Sequence, residues 1–279
     1  MKKVTLLFFA ILFFTTVKTF SQDLNTDTLK LCTILEQPGF NDDKAAILKK
    51  FKWIPEKTIR VKFLDGDGFI QAKVKEFAVQ WNKYSSVKFK FVNSGNAEIR
   101  ISFKGIGSWS LIGNSSVSYS VNIKTGVVFK SGNGVSMNFG WFNSNTPDME
   151  FSRVVLHEFG HALGLIHEHQ SPAAGIPWDK KAVYAYYKSS QNWTTAQVDR
   201  NIFYRYSKSK ITNSKYDKLS IMHYAFPAIL LTNPSAEIGW NTVLSKQDIS
   251  FIIKYYIKPK KVEVSEKEPG KKGPEPIGR

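Results

Sequence analysis

Cysteine is almost missing from this chain, since its 279 residues contain only Cys32. One thiol closes no internal disulfide, so a small disulfide-stapled scaffold is excluded. Stability has to come from a core, and from any metal the chain holds. Acidic residues are scarce as well, 23 against 39 Lys and Arg, giving a formal net charge of +16. Three of those charges lie in the first 21 residues and a net three in the segment from Lys258 onward, which leaves +10 on the body. A field of that sign favours acidic partners, such as matrix or cell-wall polyanions, through weak contacts of the basic surface and tail. No nucleic-acid-binding motif accompanies it, so no specific nucleic-acid function is read. Long apolar runs are lacking too. The one run, Val4–Phe14, is shorter than the roughly 20 residues that a membrane span requires. Lys2 and Lys3 precede it and Thr19-Phe20-Ser21 follows, the pattern of a secretory signal peptide over residues 1–21. The sequence has no internal repeat.

What the sequence does have is apolar and aromatic material, 42% and 14%, enough for a sizeable core in one large domain. Residues 22–57 read as an N-terminal extension or prosegment, with a short helix over 45–51. Strands are predicted over Thr58–Leu64, Val87–Val92 and Glu98–Phe103 from apolar and polar alternation. Between the first two, Ile70, Val74, Phe77, Ala78 and Trp81 recur at helical spacing. Gly, Ser and Asn crowd 105–134, where loops and short strands are expected. Val135, Met137 and Phe139 alternate as an edge strand would, and an edge can pair with an extended substrate. A buried helix follows, with Thr146 as N-cap and Pro147 as first residue. Further helices are predicted near Asp179–Lys188 and Thr195–Phe203. A last one starts at Ser245, in a capping box with Asp248. Residues 258–279, rich in proline and charge, read as a disordered basic tail.

The chemistry sits at the end of the buried helix. His157 and His161 are four apart, just over one turn, so both imidazoles leave one face and can meet one ion. Glu158 then lies beside that ion and can take a proton from a metal-activated water. Gly164 lets the chain turn back, and His167 can come round as a third ligand. Three protein ligands mark a catalytic zinc site rather than a closed structural one, and imidazoles suit zinc, although copper or nickel would also bind them. All five histidines fall in this motif, directly after it, or within Ser220–Tyr224.

The spaced motif from His157 to His167 resembles that of the metzincin zinc peptidases. Tyr216-Asp217-Lys218-Leu219-Ser220-Ile221-Met222-His223-Tyr224 resembles the Met-turn of the astacin family. The resemblance covers roughly residues 58–257 and is similar to bacterial relatives of astacin. It implies an α+β, zincin-like fold of two subdomains: a twisted mixed sheet with two long helices above the cleft, and an irregular C-terminal subdomain with a terminal helix. It also implies Met222 beneath the metal, Tyr224 as a switchable ligand and oxyanion donor, and Glu168 as an anchor for the mature N-terminus or neighbouring structure. His169-Gln170-Ser171-Pro172 departs from the family pattern. The resulting expectation is a secreted, monomeric zinc metalloendopeptidase acting on proteins or peptides. Rival readings are a narrow maturation peptidase, a zinc-binding module without activity, and a polyanion tether led by the tail. Cys32, within the extension, is expected to block the zinc in a proenzyme. Family prosegments use an aspartate, which makes Asp42 or Asp43 the alternative.

Overall fold

A computed structural model describes residues 32, 35, 51–207 and 215–256. The predicted signal peptide, most of the extension (including the 45–50 part of its helix, Asp42 and Asp43) and the tail lie outside the described residues. Among those described, no helix is long and apolar enough to cross a membrane.

Three parallel strands form one side of a five-stranded sheet: β1 (Thr58–Phe63) between the edge strand β2 (Lys88–Phe91) and β3 (Ile99–Ser102). The order continues through β7 (Met137–Phe139), parallel to β3, to the antiparallel β4 (Ser108–Ser110). A separate hairpin joins β5 (Tyr119–Val121) to β6 (Val128–Lys130). Alternation sends Ile59 and Val61 of β1 inward, where they are fully buried, while Arg60 stays out.

Two helices cover the inner face. In α1 (Gly68–Ala78), Asp67 caps the first turn by accepting from the Phe69 and Ile70 amides, and Ile70, Val74 and Phe77 face the sheet. Trp81 follows in a 3-10 turn and is also buried. α2 (Asp148–Ala162) is buried over nearly its whole length, with Phe159 packed edge-on to Phe89 of β2 at 4.8 Å. Aromatic donors tie down its carbonyls, including those the helix end leaves without partners. Trp81 donates to Leu156, Trp53 to Ala162, and Tyr256 to Leu163, at 2.8–3.0 Å. The end of α2, which carries the histidines, is therefore held from three sides.

The second half of the chain has less regular structure. α3 (Lys180–Gln191) and a single turn at Thr195–Val198 pack with Phe226, Leu230 and Ile238 as a second core. The terminal helix α4 (Lys246–Tyr255) returns to the first core through Ile252. The expected α+β architecture of sheet, two helices and irregular C-terminal part is what the chain adopts.

Two expectations fail. Thr146 does not cap α2. Its hydroxyl accepts from the Asn143 amide within the preceding turn, Pro147 occupies the cap position, and the helix begins at Asp148. Val135–Phe139 is not an edge either, because β7 is paired on both sides and β4 forms the rim. Its alternating Asn138 looks solvent-facing in sequence but is fully buried. The Asn138 carboxamide accepts from the Gly105 amide and donates to the Gly105 and Gly107 carbonyls, which folds β4 over it.

Candidate active site

The last turn of α2 brings His157 and His161 onto one face, with their rings 4.7 Å apart. Gly164 adopts φ +93°, a left-handed conformation that L side chains avoid, and ends the helix. The chain doubles back so that His167 closes the group, its ring 4.8 Å from His161 and 5.2 Å from His157. One ring nitrogen of each histidine lies within 4.8 Å of the others.

Backbone carbonyls aim these rings. Nδ1 of His157 donates to the Ile221 carbonyl at 2.8 Å, and Nδ1 of His161 to the Leu165 carbonyl at 2.9 Å. Each bond fixes the tautomer that leaves Nε2 with a free lone pair, the arrangement by which outer partners orient metal-binding imidazoles. Burial disfavours their charged forms. His161 is pushed down to about 4, and His157 and His167 fall well below the usual imidazole value, from burial first and then from the neighbouring His161. Near neutral pH all three are uncharged and able to coordinate. His157 Nε2 is buried without a hydrogen-bond partner. An orphaned buried nitrogen is costly unless it meets a cation, so three neutral imidazoles facing one point fit zinc.

Glu158 is completely buried, and its carboxylate oxygens make no well-formed hydrogen bond, although the Cys32 thiol lies close enough to interact with them. Burial raises it to about 8, and the nearby Cys32 thiol and Arg153 offset only part of that. Cys32 is itself buried and forms a parallel bridge with Ser108 on the rim strand β4. Ligand atoms of Cys32, His157 and Glu158 form a second group within 4.8 Å. Burial, reinforced by the Glu158 charge, holds the Cys32 thiol well above its ordinary value.

The Met222 turn forms the floor. A side chain at Gly160 would place its Cβ 2.4 Å from Met222 Sδ, so glycine there lets the methionine reach the helix under the histidines. Tyr224 is buried with its ring 4.3 Å from that of His167, and its hydroxyl donates to the Cys32 carbonyl. Glu168 accepts from the Asp217 amide at 2.9 Å and so anchors the segment leading into the turn. Cys32, His157, Glu158, His161, His167, Met222 and Tyr224 fall in one cluster, while Asp42 and Asp43 lie outside the described residues. Sequence reasoning missed the brace beneath it. Asp248, read as a capping residue, also accepts from the Ser220 hydroxyl at 2.7 Å and the Ile221 amide at 2.8 Å, and this holds the carbonyl that orients His157. The Gly160 requirement was missed as well, because nothing in the local spacing connects it to Met222.

A mixed sheet over a helix that ends in a three-imidazole group, floored by a methionine turn, defines a zinc-dependent peptidase. The matrixin peptidase family matches residues 64–201. Two solved structures of myroilysin are similar. One is 42% identical, covers 76% of this chain and 98% of its own, and superposes with a TM-score of 0.70. The other is 38% identical, covers 84% and 93%, and gives 0.60. High choriolytic enzyme 1, a hatching enzyme zinc-protease from the medaka fish Oryzias latipes, shares the fold at 18% identity, 75% and 96% coverage and a TM-score of 0.51. No curated protein sequence matches. The chain belongs to the metzincin zinc metallopeptidases and is a zinc metalloendopeptidase.

Proposed function

We propose that this chain is a secreted monomeric endopeptidase in which His157, His161 and His167 hold the zinc and Glu158 is the general base. The observation that carries the reading is the fully buried Glu158 carboxylate, touched only by the Cys32 thiol, beside three neutral imidazoles. Zinc bound there polarises the scissile carbonyl and makes water a nucleophile near neutral pH. The substrate main chain pairs with the rim strand β4 at Ser108–Ser110, in the place the Cys32 segment takes here. Glu158 accepts a proton as water attacks the carbonyl carbon and passes it to the amide nitrogen, whose bond to that carbon breaks. Tyr224 donates its hydroxyl to the oxyanion that develops on the substrate. Met222 supports the ligand histidines from below. Residues 1–21 direct export, 58–257 form the catalytic domain, and the tail from Lys258 adds weak polyanion contact.

The test separates metal from base. Glu158→Ala should keep about one zinc per chain, because every ligand remains, yet lose roughly a hundredfold or more in turnover with its proton acceptor. A variant with most of the wild-type rate would remove Glu158 from the mechanism.

A second reading concerns residues 22–57 as a prosegment. Cys32 fills the space between His157 and Glu158, pairs with the rim strand where substrate would lie, and occupies the Tyr224 hydroxyl through its carbonyl. One residue thus engages metal site, base, substrate strand and oxyanion donor together, which supports Cys32 as the latency ligand. Asp42 and Asp43, the alternative, lie outside the described residues. X-ray absorption of the zinc-loaded full chain should find a sulfur neighbour at about 2.3 Å. A shell of nitrogen and oxygen only, with Cys32→Ser as latent as wild type, would end this reading.

A further inference from the structure

We propose that the outer face of the sheet, centred on Arg60 and Lys62, is a binding site for an anionic polysaccharide chain bearing sulfate or carboxylate groups. It locates on a defined surface the polyanion contact otherwise left to the basic body and tail.

The register of the strands creates the site. Arg60 lies level with Lys90 on β2, and Lys62 lies level with Arg100 on β3. In a sheet, level neighbours project to the same side, so two like-charged pairs stand next to one another, an arrangement that destabilises a sheet. Among the described residues, one carboxylate on this face, Glu98, answers them. Glu98 is already shared between Arg60 at 3.1 Å and Lys57 at 3.4 Å. Lys62 and Lys90 have no ion pair among the described residues. At Lys62 and Lys90 positive charge therefore stands without a compensating carboxylate, which leaves it available to an anionic partner.

The surface is also concave. A groove of about 480 Å³ is lined by Arg60, Lys62, Asn96, Glu98, Arg100 and Asn133, among others. That volume lies within the range of small-ligand sites, about 300 to 1,000 Å³. The Arg100 guanidinium forms its base, held rigid by the carbonyls of Ala97, Glu98, Ser116, Tyr119 and Gly134. No carboxylate bonds to it directly in that cradle. Asn96 and Asn133 stand exposed at the rim and offer carboxamides, which suit sugar hydroxyls.

The lining contains no aromatic side chain. Single-stranded nucleic acids are gripped by stacking bases on aromatic rings, so the groove lacks what that partner needs. The site shares no residue with the histidine cluster. Ile59 and Val61 on the same strand face the opposite way, toward α2, and β1 lies three strands from the rim strand β4. A polysaccharide seated here would hold the enzyme on an anionic polymer while leaving the substrate cleft open.

The test uses the full chain and size-defined heparin oligosaccharides as probe, with affinity measured by titration calorimetry at fixed salt. Lys62→Glu/Lys90→Glu reverses one half-buried and one exposed charge and should weaken binding roughly tenfold or more, because like charges then face the ligand. Its thermal midpoint and zinc content should equal those of wild type, which reports an intact fold and metal site. Asn133→Ala, which changes no charge, should also weaken heparin binding several-fold. Unchanged heparin affinity in the double variant would overturn the site and move the contact to the tail or elsewhere. Single-stranded DNA of equal charge binding as tightly, with Asn133→Ala without effect, would overturn the polysaccharide assignment.

Discussion

The two halves of this enzyme are held together differently. Up to the end of α2, periodic elements bury a continuous core of residues such as Ile59, Val61, Phe89, Ile99 and Phe159, and single polar side chains such as Asn138 and Arg100 fix only the loops at its margin. Beyond Gly164 the chain proceeds by turns and short helices, and its geometry depends on single polar residues. Asp248 braces Ser220 and Ile221, Glu168 holds Asp217, and Asp217 accepts from the Ser245 hydroxyl at 2.6 Å. The metal site spans the seam, with His157 and His161 from the first half, His167 from the second, and Met222 below. The first half supplies rigidity and the second supplies precise placement, and zinc held by the three histidines would join them.

Removing the metal should break this comparison most strongly. At free zinc a thousandfold above its dissociation constant, chelation costs about 4 kcal/mol of apparent stability. The loss should be uneven. Hydrogen exchange should quicken across 164–224 while β1, β3 and α1 keep their protection. Uniform loss of protection would mean that the halves are not distinct.

Two capping aspartates sharpen the contrast. Asp67 caps α1 from an exposed position in the first half, and Asp67→Ala should cost about 1 kcal/mol with zinc affinity unchanged. Asp248→Ala removes a buried acceptor of several bonds and should cost on the order of 3 kcal/mol. It should also weaken zinc binding, since the Ile221 carbonyl that orients His157 loses its support. Denaturant titrations and zinc competition on both variants check this, and equal effects would refute it.

The same division governs what could be read from sequence. Helices α1 and α2 and strands β1 to β3 carry their periodicity openly, and the spacing of His157, Glu158, His161 and His167 states the site. The Ser245–Asp248 capping box was legible too, and both of its reciprocal bonds form. The brace from Asp248 to Ile221, 27 positions away, was not, because it depends on tertiary placement. The rim strand was misassigned for a related reason. Alternation identifies a strand but not its neighbours, and Asn138 hides its polarity against two glycine loops. β4, three residues of Ser-Trp-Ser, is too short to show a period. The approach of Tyr224 to Cys32 spans 192 positions and has no local trace.

The five histidines permit the most direct test of the central claim. All are buried, and the rings of His169 and His223 lie near the cluster, with His169 5.3 Å from His167. Their bonds differ, however. His169 bonds the Asn201 carbonyl, and His223 lies between the Tyr216 hydroxyl and its neighbour's carbonyl. Zinc content should be measured on the folded fraction of five single alanine variants. The account predicts that His157→Ala, His161→Ala and His167→Ala lose zinc, while His169→Ala and His223→Ala keep about one ion per chain. Zinc retained by His167→Ala and lost by His169→Ala or His223→Ala would contradict it.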